Sequence, residues 1–291
     1  MDDASRKTRA LASDDFKATA SDYLGRFREI VCDPLNLLIE RDPRAGMVTD
    51  ELVCLHNGNL VPSSGPFAYY GDFSQILIIN RGVHEPVEEF VFQEVLKRLP
   101  SAPAMLELGA YWAHYSMWLK RRFPDATTFM VEPDAVAINV GRGNFERNGF
   151  KGTFIQDFVD TGRFEVDRFV RERPAFHLDI LHVDIQSYEV RMLEGCTETL
   201  ATDRVDHVFI STHSQGIHDT VIGRLEELGM RVEVSSRFDT GTTSYDGFVF
   251  ASRKALLPVF EGFAPIALCD ILTGRADDHV DFLLRTRAGR S

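Results

Sequence analysis

The stretch from Met105 to Trp118 has the sequence MLELGAYWAHYSMW, and the rest of the chain is organised around it. A short apolar run leads to Gly109, and an amphipathic, aromatic-rich segment follows the glycine. This order predicts a β-strand that ends at a glycine turn and continues into a helix. Such a junction places backbone amides and the positive end of a helix at the carboxyl edge of a sheet, where α/β folds bind ligands. An ordinary strand-to-helix turn is the alternative interpretation at this point.

A second predicted strand supports the ligand-binding interpretation. It runs from Thr127 to Val131 and stops at Glu132-Pro133. An acidic residue at the end of the second strand, about 20 residues or more after the glycine turn, is where nucleotide-binding folds hold a ribose by its hydroxyl groups. Pro133 suits the first position of a helix, because its missing N–H group would have no partner there. These signals favour a nucleotide-binding βαβ unit.

Strands and helices alternate through most of the chain, which predicts βαβ units and a mainly parallel sheet. The predicted strands of this region are residues 104–107, 127–131, 152–156, 178–185, 206–212, 231–235 and 247–251. The predicted helices are residues 84–99, 135–148, 188–200 and 215–228, and another ends near residue 123. Before this region, apolar residues from Phe16 to Val31 recur at helical spacing, and residues 52–55 and 75–79 are predicted as strands.

The ordered set of motifs resembles the FkbM-type S-adenosylmethionine (SAM) dependent methyltransferases. The matching stretches are Glu107-Leu108-Gly109-Ala110, Tyr115-Ser116, Glu132-Pro133, Asn144, Asn148-Gly149, Asp184-Ile185-Gln186, Glu189, Gly195 and Asp246-Gly247-Phe248. One departure is Ala113, where that family usually has a second glycine. The resemblance implies an α/β protein with the class I SAM-methyltransferase, Rossmann-like fold. Its seven-stranded, mostly parallel sheet would carry helices on both faces.

The resemblance covers only part of the chain and so suggests three regions. Residues 1–83 would form an N-terminal α+β extension, residues 84–252 the SAM-binding methyltransferase domain, and residues 253–291 a C-terminal tail packed on the core. Two interpretations of the extension are open. It is either a cap or substrate-binding region over the active site, or a packing and oligomerisation region. The helix predicted at residues 84–99 would border the cofactor pocket in the resembling family. Taken alone, its acidic start is typical of a solvated helix end.

SAM is the cofactor that the resemblance implies, and its methionine part falls at the glycine turn. Gly109 and Ala110 would let the backbone approach this part of SAM, and Glu107 would meet its ammonium group directly or through water. Tyr111 and Trp112 would lie beside the sulfonium, which an aromatic face attracts by ~0.5–2 kcal/mol. The alternative for both aromatic residues is a place in the hydrophobic core.

The nucleoside part of SAM would be held further along the sheet. Glu132 would bind the two ribose hydroxyl groups. Asp157, directly after the third strand, is expected where the adenine amino group would be recognised. A solvated loop carboxylate is the other interpretation of Asp157.

Polar residues follow the fourth and fifth strands, at the edge where the methyl acceptor would lie. Asp184 and His213 are the predicted catalytic residues, one as a base and the other orienting it, because a hydroxyl acceptor must be held in line and lose a proton. A divalent-metal site is the alternative, with His218 or Asp219 as a third ligand. The metal-free interpretation is favoured because no compact ligand triplet is recognisable. His182 lies deeper in its strand and is predicted to be structural.

Composition excludes several other classes of protein. The net charge of −12 argues against nucleic acid and anionic membranes as partners, since both require a basic surface. The four cysteines lie far apart with no C-x-x-C pair, which predicts reduced thiols and a cytoplasmic location. No apolar run approaches the ~18 residues needed to span a membrane. The start Met1-Asp2-Asp3 has no apolar core of a secretory signal.

The predicted function is therefore SAM-dependent O-methyl transfer to a hydroxyl group of a small molecule, a sugar unit or a secondary metabolite. The substrate class comes from the resemblance alone. Two alternatives are open. One is a nicotinamide-dependent oxidoreductase, because Glu132 would also suit the ribose of NAD. The other is a catalytically degenerate methyltransferase fold that serves as a binding or scaffold protein. The expected partner is the small-molecule acceptor, and a homo-oligomer is left open.

Overall fold

The computed structural model describes residues 23–288, and its centre is a seven-stranded sheet. The strands of this sheet are β4 (Ala104–Leu108), β5 (Thr127–Val131), β6 (Thr153–Ile155), β7 (Leu178–Val183), β8 (Val205–Thr212), β9 (Met230–Ser236) and β10 (Gly247–Arg253). Their order across the sheet is β6-β5-β4-β7-β8-β10-β9. Strand β10 pairs antiparallel with both of its neighbours, whereas the other pairings are parallel. The predicted α/β class with a mostly parallel, seven-stranded sheet is confirmed.

Helices connect the strands on both faces of the sheet. Their bounds are α1 (Tyr23–Cys32), α2 (Gln75–Ile79), α3 (Pro86–Leu96), α4 (His114–Arg122), α5 (Ala135–Arg147), α6 (Val166–Arg171), α7 (Glu189–Glu194), α8 (Thr197–Ala201), α9 (Gln215–Glu227), α10 (Leu268–Thr273) and α11 (Ala276–Ala288). The helical spacing predicted from Phe16 falls partly on residues outside the described range. Within that range, α1 continues the predicted pattern. In the described residues, every helix is too short or too polar to span a membrane.

Two predicted elements differ in the structure. Residues 75–79 form the short helix α2 and not a strand, because five apolar residues do not by themselves distinguish a strand from a buried helical turn. Ile76 and Leu77 are fully buried on one side of this turn, while Ile79 is 57% exposed. The single helix predicted over residues 188–200 is two helices, α7 and α8, which are separated at Gly195-Cys196.

Apolar side chains fill both faces of the sheet. One face packs against α6, α7 and α9 through residues such as Phe169, Leu193 and Leu225. The other face is covered by α3 together with Leu35 from the extension and Phe282 from the tail. The extension also contains a small antiparallel sheet of β1 (Val48–Thr49), β2 (Leu52–Cys54) and β3 (Leu60–Pro62). Both terminal regions thus contribute to one continuous core with the central sheet.

Helix α3 is buried along its entire length, from Pro86 to Leu96. The interpretation of its acidic start as a solvated helix end is therefore wrong. Glu88 and Glu89 point into the protein, where histidines and a serine contact their carboxylates. Ion pairing and hydrogen bonding of this kind are what make a buried carboxylate tolerable.

Candidate functional site

A cavity of about 520 Å³ opens at the carboxyl edge of the central sheet. It lies where the strand order reverses, between β4 and β7, which is the place where open α/β sheets bind ligands. Gly109, Glu132 and Asp184 line it from the ends of three neighbouring strands. Arg26 and Tyr70 line it from the extension, so residues before the domain help to close the cavity.

The turn after β4 requires a glycine. Gly109 has a φ of +75°, and a Cβ atom at this position would lie 1.7 Å from the carbonyl oxygen of Asp184. Tyr111 and Ala113 also have left-handed backbones, with φ of 39° and 60°. Ala113 thus adopts the conformation that a glycine would accept more easily, at a cost of about 1 kcal/mol. The departure from the resembling family changes the residue but keeps a left-handed turn.

Glu132 is fixed in position at the end of β5. Its Oε2 accepts a hydrogen bond from the backbone N–H of Tyr111 at 3.1 Å, and its Oε1 accepts one from the N–H of Asp134 at 3.0 Å. Only 8% of the residue is exposed, and this burial raises the pKa of its carboxyl group. Each oxygen keeps a lone pair that can accept a further bond from a ligand hydroxyl.

The other residues predicted to bind the cofactor fall into two groups. Glu107, Ala110 and Tyr111 line the cavity beside Gly109. Glu107 is almost fully buried, which raises its pKa, and its Oε2 accepts a bond from the N–H of Ser116 at 3.2 Å. Asp157 lies outside the cavity lining, where its Oδ1 accepts the N–H of the next residue. Its predicted contact with adenine stays a prediction.

The two predicted catalytic residues meet at the same edge. The Nε2 atom of His213 lies 3.4 Å from Oδ1 of Asp184, and Nδ1 of His213 bonds Oε1 of Glu189. Glu189 thus holds the imidazole ring of His213. Burial lowers the pKa of His213, but the hydrogen bonds to Asp184 and Glu189 outweigh this effect, and the pKa rises to about 10. The imidazole is therefore protonated at neutral pH.

Asp246 completes this cluster and was missed as a site residue. Its Oδ1 lies 3.6 Å from Nε2 of His213, and burial together with the charge of Asp184 raises its pKa to about 8. The expectation that the chain has no compact ligand triplet is wrong, because ligand atoms of Asp184, His213 and Asp246 lie within 4.8 Å of one another. The predicted catalytic residues both follow parallel strands. Strand β10 is antiparallel, so the residue preceding Gly247 lies at the carboxyl edge of β8.

Acidic residues at the start of α3 contact residues of the cavity wall, and Glu85, just before the helix, lines the cavity itself. The Oε1 atom of Glu88 lies 2.5 Å from Nε2 of His182, and its Oε2 accepts a bond from the hydroxyl of Ser211 at 2.9 Å. Glu85 accepts a bond from the hydroxyl of Tyr115 at 3.0 Å. His182, predicted to be structural, lines the cavity as well as bonding Glu88. The sequence signal for this group is the spacing of Glu85, Glu88 and Glu89, because positions three and four apart share one helix face.

The architecture defines the class of fold. Six strands run in one direction, and the antiparallel β10 lies between β8 and β9. With a cavity at the reversal of strand order, this is the class I SAM-dependent methyltransferase fold.

Comparisons with known proteins give distant similarities. No protein-family model matches the chain. A stretch of 118 residues is 29% identical to the release factor glutamine methyltransferase of Geobacter sulfurreducens, and it covers 38% of this chain and 42% of that protein. The chain thus spans less than half the length of this curated relative. Membership of the FkbM-type family stays a prediction.

Solved structures are similar at lower sequence identity. A precorrin-6y C5,15-methyltransferase from Geobacter metallireducens GS-15 is 14% identical, with a TM-score of 0.43 over 58% of this chain and 88% of that chain. An O-methyltransferase from Bacillus cereus in complex with SAH is also 14% identical, with a TM-score of 0.43 over 59% of this chain and 82% of that chain.

Proposed function

We propose that the protein is a SAM-dependent methyltransferase that transfers a methyl group to an oxygen atom of a small molecule. The observation that carries this proposal is the cavity at the reversal of strand order. There the glycine turn at Gly109, the fixed carboxylate of Glu132 and the pair Asp184 and Asp246 face one space. The order of motifs supports a place beside the FkbM-type enzymes.

The residues present fit the cofactor. A side chain at Gly109 would collide with the carbonyl of Asp184. The turn therefore has no side chain at this position, and its backbone faces the cavity directly. Glu132 offers two buried carboxylate oxygens, which suit the two hydroxyl groups of a ribose. Glu107 lies beside the turn, where a carboxylate would meet an ammonium group. When bound, SAM would supply a methyl group already activated by the positive sulfur.

The remaining work of the site is positioning and proton removal. The acceptor oxygen forms a bond to the methyl carbon as the carbon–sulfur bond breaks, and the hydroxyl proton must leave. His213 keeps its proton at neutral pH and cannot take another, so we assign it the orienting role. Asp184 and Asp246 are then the proton acceptors, with the raised pKa of Asp246 near the value that suits a general base.

The sheet distinguishes this proposal from nicotinamide chemistry. Dinucleotide-binding sheets of the Rossmann type have the order 3-2-1-4-5-6. This chain inserts the antiparallel β10 before its edge strand. The carboxylate at the end of β5 alone would suit either cofactor, so the strand order is what favours SAM.

Calorimetric titration of the full chain with S-adenosylhomocysteine (SAH), SAM and NAD tests the proposal. We expect SAH and SAM to bind and NAD to give no heat. Binding of NAD without SAH would contradict it. Transfer is then measured from methyl-labelled SAM to a panel of hydroxylated and aminated small molecules. SAH binding with no transfer to any of them would favour a degenerate scaffold, and transfer to nitrogen alone would contradict the oxygen acceptor.

A further inference from the structure

A second group of ionisable side chains surrounds the carboxylate of Glu89, and one of its members, His114, also lines the cavity. His56 comes from the extension just after β2, Glu89 from α3, and His114 is the first residue of α4. These three residues are at most 1% exposed. Three separate segments of the chain therefore bring two imidazoles and one carboxylate together away from water.

The distances within this group are those of a ligand set. His56 Nε2 lies 3.3 Å from Oε2 of Glu89, and His114 Nε2 lies 3.5 Å from its Oε1. One ligand atom of each residue lies within 4.8 Å of the other two. Neighbouring ligands of a tetrahedral zinc ion, with bonds of about 2.0–2.1 Å, are separated by about 3.3 Å. The two distances from the histidines to Glu89 are close to this value.

Several polar atoms of this group make no hydrogen bond within the described residues. Within residues 23–288, both ring nitrogens of His56, both of His114 and Oε2 of Glu89 make no hydrogen bond. A buried polar atom without a partner costs about 1–3 kcal/mol. Neutral imidazole is the form that binds metals.

We propose that His56, Glu89 and His114 bind a divalent zinc ion. Two imidazoles and a carboxylate are a donor set that suits zinc. This site is distinct from the cluster at Asp184, and it is independent of the proposed methyl transfer.

The surroundings hold the three ligands in place. His84 Nδ1 lies 2.5 Å from Oε1 of Glu89, and its Nε2 lies 3.3 Å from Oε2 of Glu85. A hydrogen bond to a ligating carboxylate of this kind orients metal ligands in proteins. Trp118 packs edge-on against the ring of His56, with centroids 4.3 Å apart. Residue His56 would thus fasten the extension to the methyltransferase domain through the metal, which is a structural role.

Zinc content of the full-length protein tests the proposal. The protein is purified without chelator, incubated with zinc sulfate, dialysed and measured by plasma mass spectrometry. We expect about one zinc ion per chain. We expect His56→Gln and His114→Gln to lose most of it and to melt at lower temperature. His207→Gln is the matched control, because His207 is also buried but bonds the hydroxyl of Ser252 at 3.0 Å. This control should keep its zinc.

Two results would overturn the proposal. One is a folded wild-type protein that holds no zinc after loading. The other is zinc that persists in both ligand variants, since the ion would then lie elsewhere. If the variants fail to fold, titration of the wild type with Co²⁺ decides, because imidazole and carboxylate ligation gives visible absorption bands and absence of those bands rejects the site. SAH binding measured on the same samples separates this outcome from that of the proposed function.

Discussion

Asp184 and Asp246 are the two residues on which the proposed chemistry depends. Both line the cavity, and both lie within 3.6 Å of the protonated ring of His213. Two carboxylates beside one imidazolium hold one negative charge more than the ring neutralises, so one of them keeps a proton more tightly. The pKa of about 8 for Asp246 reflects its burial first and then its neighbour Asp184. This pair behaves as a unit and not as two separate acids.

We expect Asp246→Asn to lower turnover by ~10²-fold and to leave SAH affinity within a few-fold, because the variant removes a proton acceptor and no cofactor contact. Turnover of the wild type should rise with pH through about 8, since Asp246 is protonated below that value and becomes a base above it. Steady-state rates from pH 6 to pH 9 check both statements. Asp219→Asn is the control, as Asp219 is exposed and pairs with Arg237. A flat profile would remove Asp246 from proton transfer.

Glu132 gives the second prediction at the residue level. Replacement by alanine should weaken SAH binding by ~1–3 kcal/mol, because two hydrogen bonds from the ribose diol to a buried carboxylate are lost. Calorimetry measures the difference. Glu146→Ala, an exposed change on the adjoining helix α5, should leave the affinity unchanged. Equal affinities of wild type and Glu132→Ala would reject the ribose assignment.

At the level of elements, the glycine turn and the helices around it show what a sequence does and does not determine. The strand that ends at Gly109 and the acid that follows β5 are predictable from the sequence. A positive φ favours glycine, and a strand end shows as an apolar run that stops at a polar residue. Helix α2 is not predictable from its five apolar residues. Its buried residues Ile76 and Leu77 belong to a core cluster that includes Val53 and Met117, which are distant in sequence. Tertiary packing decided that element.

Two glycine-to-alanine substitutions test whether the turn after β4 requires the absence of a side chain. Gly109→Ala should destabilise the fold by about 3 kcal/mol or more and abolish SAH binding, because the new methyl group would overlap the carbonyl of Asp184. Gly143→Ala is the matched change, since this glycine lies inside α5 and a Cβ there would meet nothing within 4 Å. It should be neutral or stabilise the protein by up to about 1 kcal/mol. Denaturant unfolding measures both, and similar stabilities would contradict the role of Gly109.

At the scale of the whole molecule, the extension and the domain share one cavity and one core. Tyr70 donates its backbone N–H to the hydroxyl of Tyr111 at 3.2 Å, and the hydroxyl of Thr243 donates to Asp33 at 2.5 Å. The sequence predicted the extension but left its role open between a cap and a packing region. The choice between these two roles stays a prediction. Asp246 belongs to a recognisable motif, but its place in the site depends on the antiparallel direction of β10. The partners of Glu85 and of α3 could not be predicted, because they come from segments that are distant in sequence.

The charge state of the whole protein predicts how its stability depends on pH. His213 holds its proton to about pH 10 in the folded state but only to about 6.5 when unfolded. Its contribution is therefore fully present below pH 6.5 and is lost as pH rises through 10. The raised pKa of Asp246 also makes the stability fall as the pH rises, over the range from its ordinary pKa to about 8.

We expect the free energy of unfolding to fall between pH 6.5 and pH 9.5 by up to ~1 kcal/mol per pH unit. Urea denaturation at several pH values measures this slope. His213→Gln should reduce the slope, and His84, whose pKa is also raised to about 10, should keep part of it. His207→Gln should not, because the pKa of His207 is lowered to about 4 and this ring stays neutral over the whole range. A wild-type stability that rises with pH would contradict the assignment.

Helix α3 has a consequence for cooperativity of unfolding. The partners of its carboxylates lie on separate segments of the chain. Glu88 contacts residues of β7 and β8. Glu89 contacts His84, just before α3, and His56 in the extension. Removing any one segment would leave a buried carboxylate without its partner. Partial opening of the extension is therefore nearly as costly as unfolding everything. The chain should melt in a single calorimetric transition whose measured enthalpy equals the van't Hoff enthalpy, with no early loss of residues 48–83.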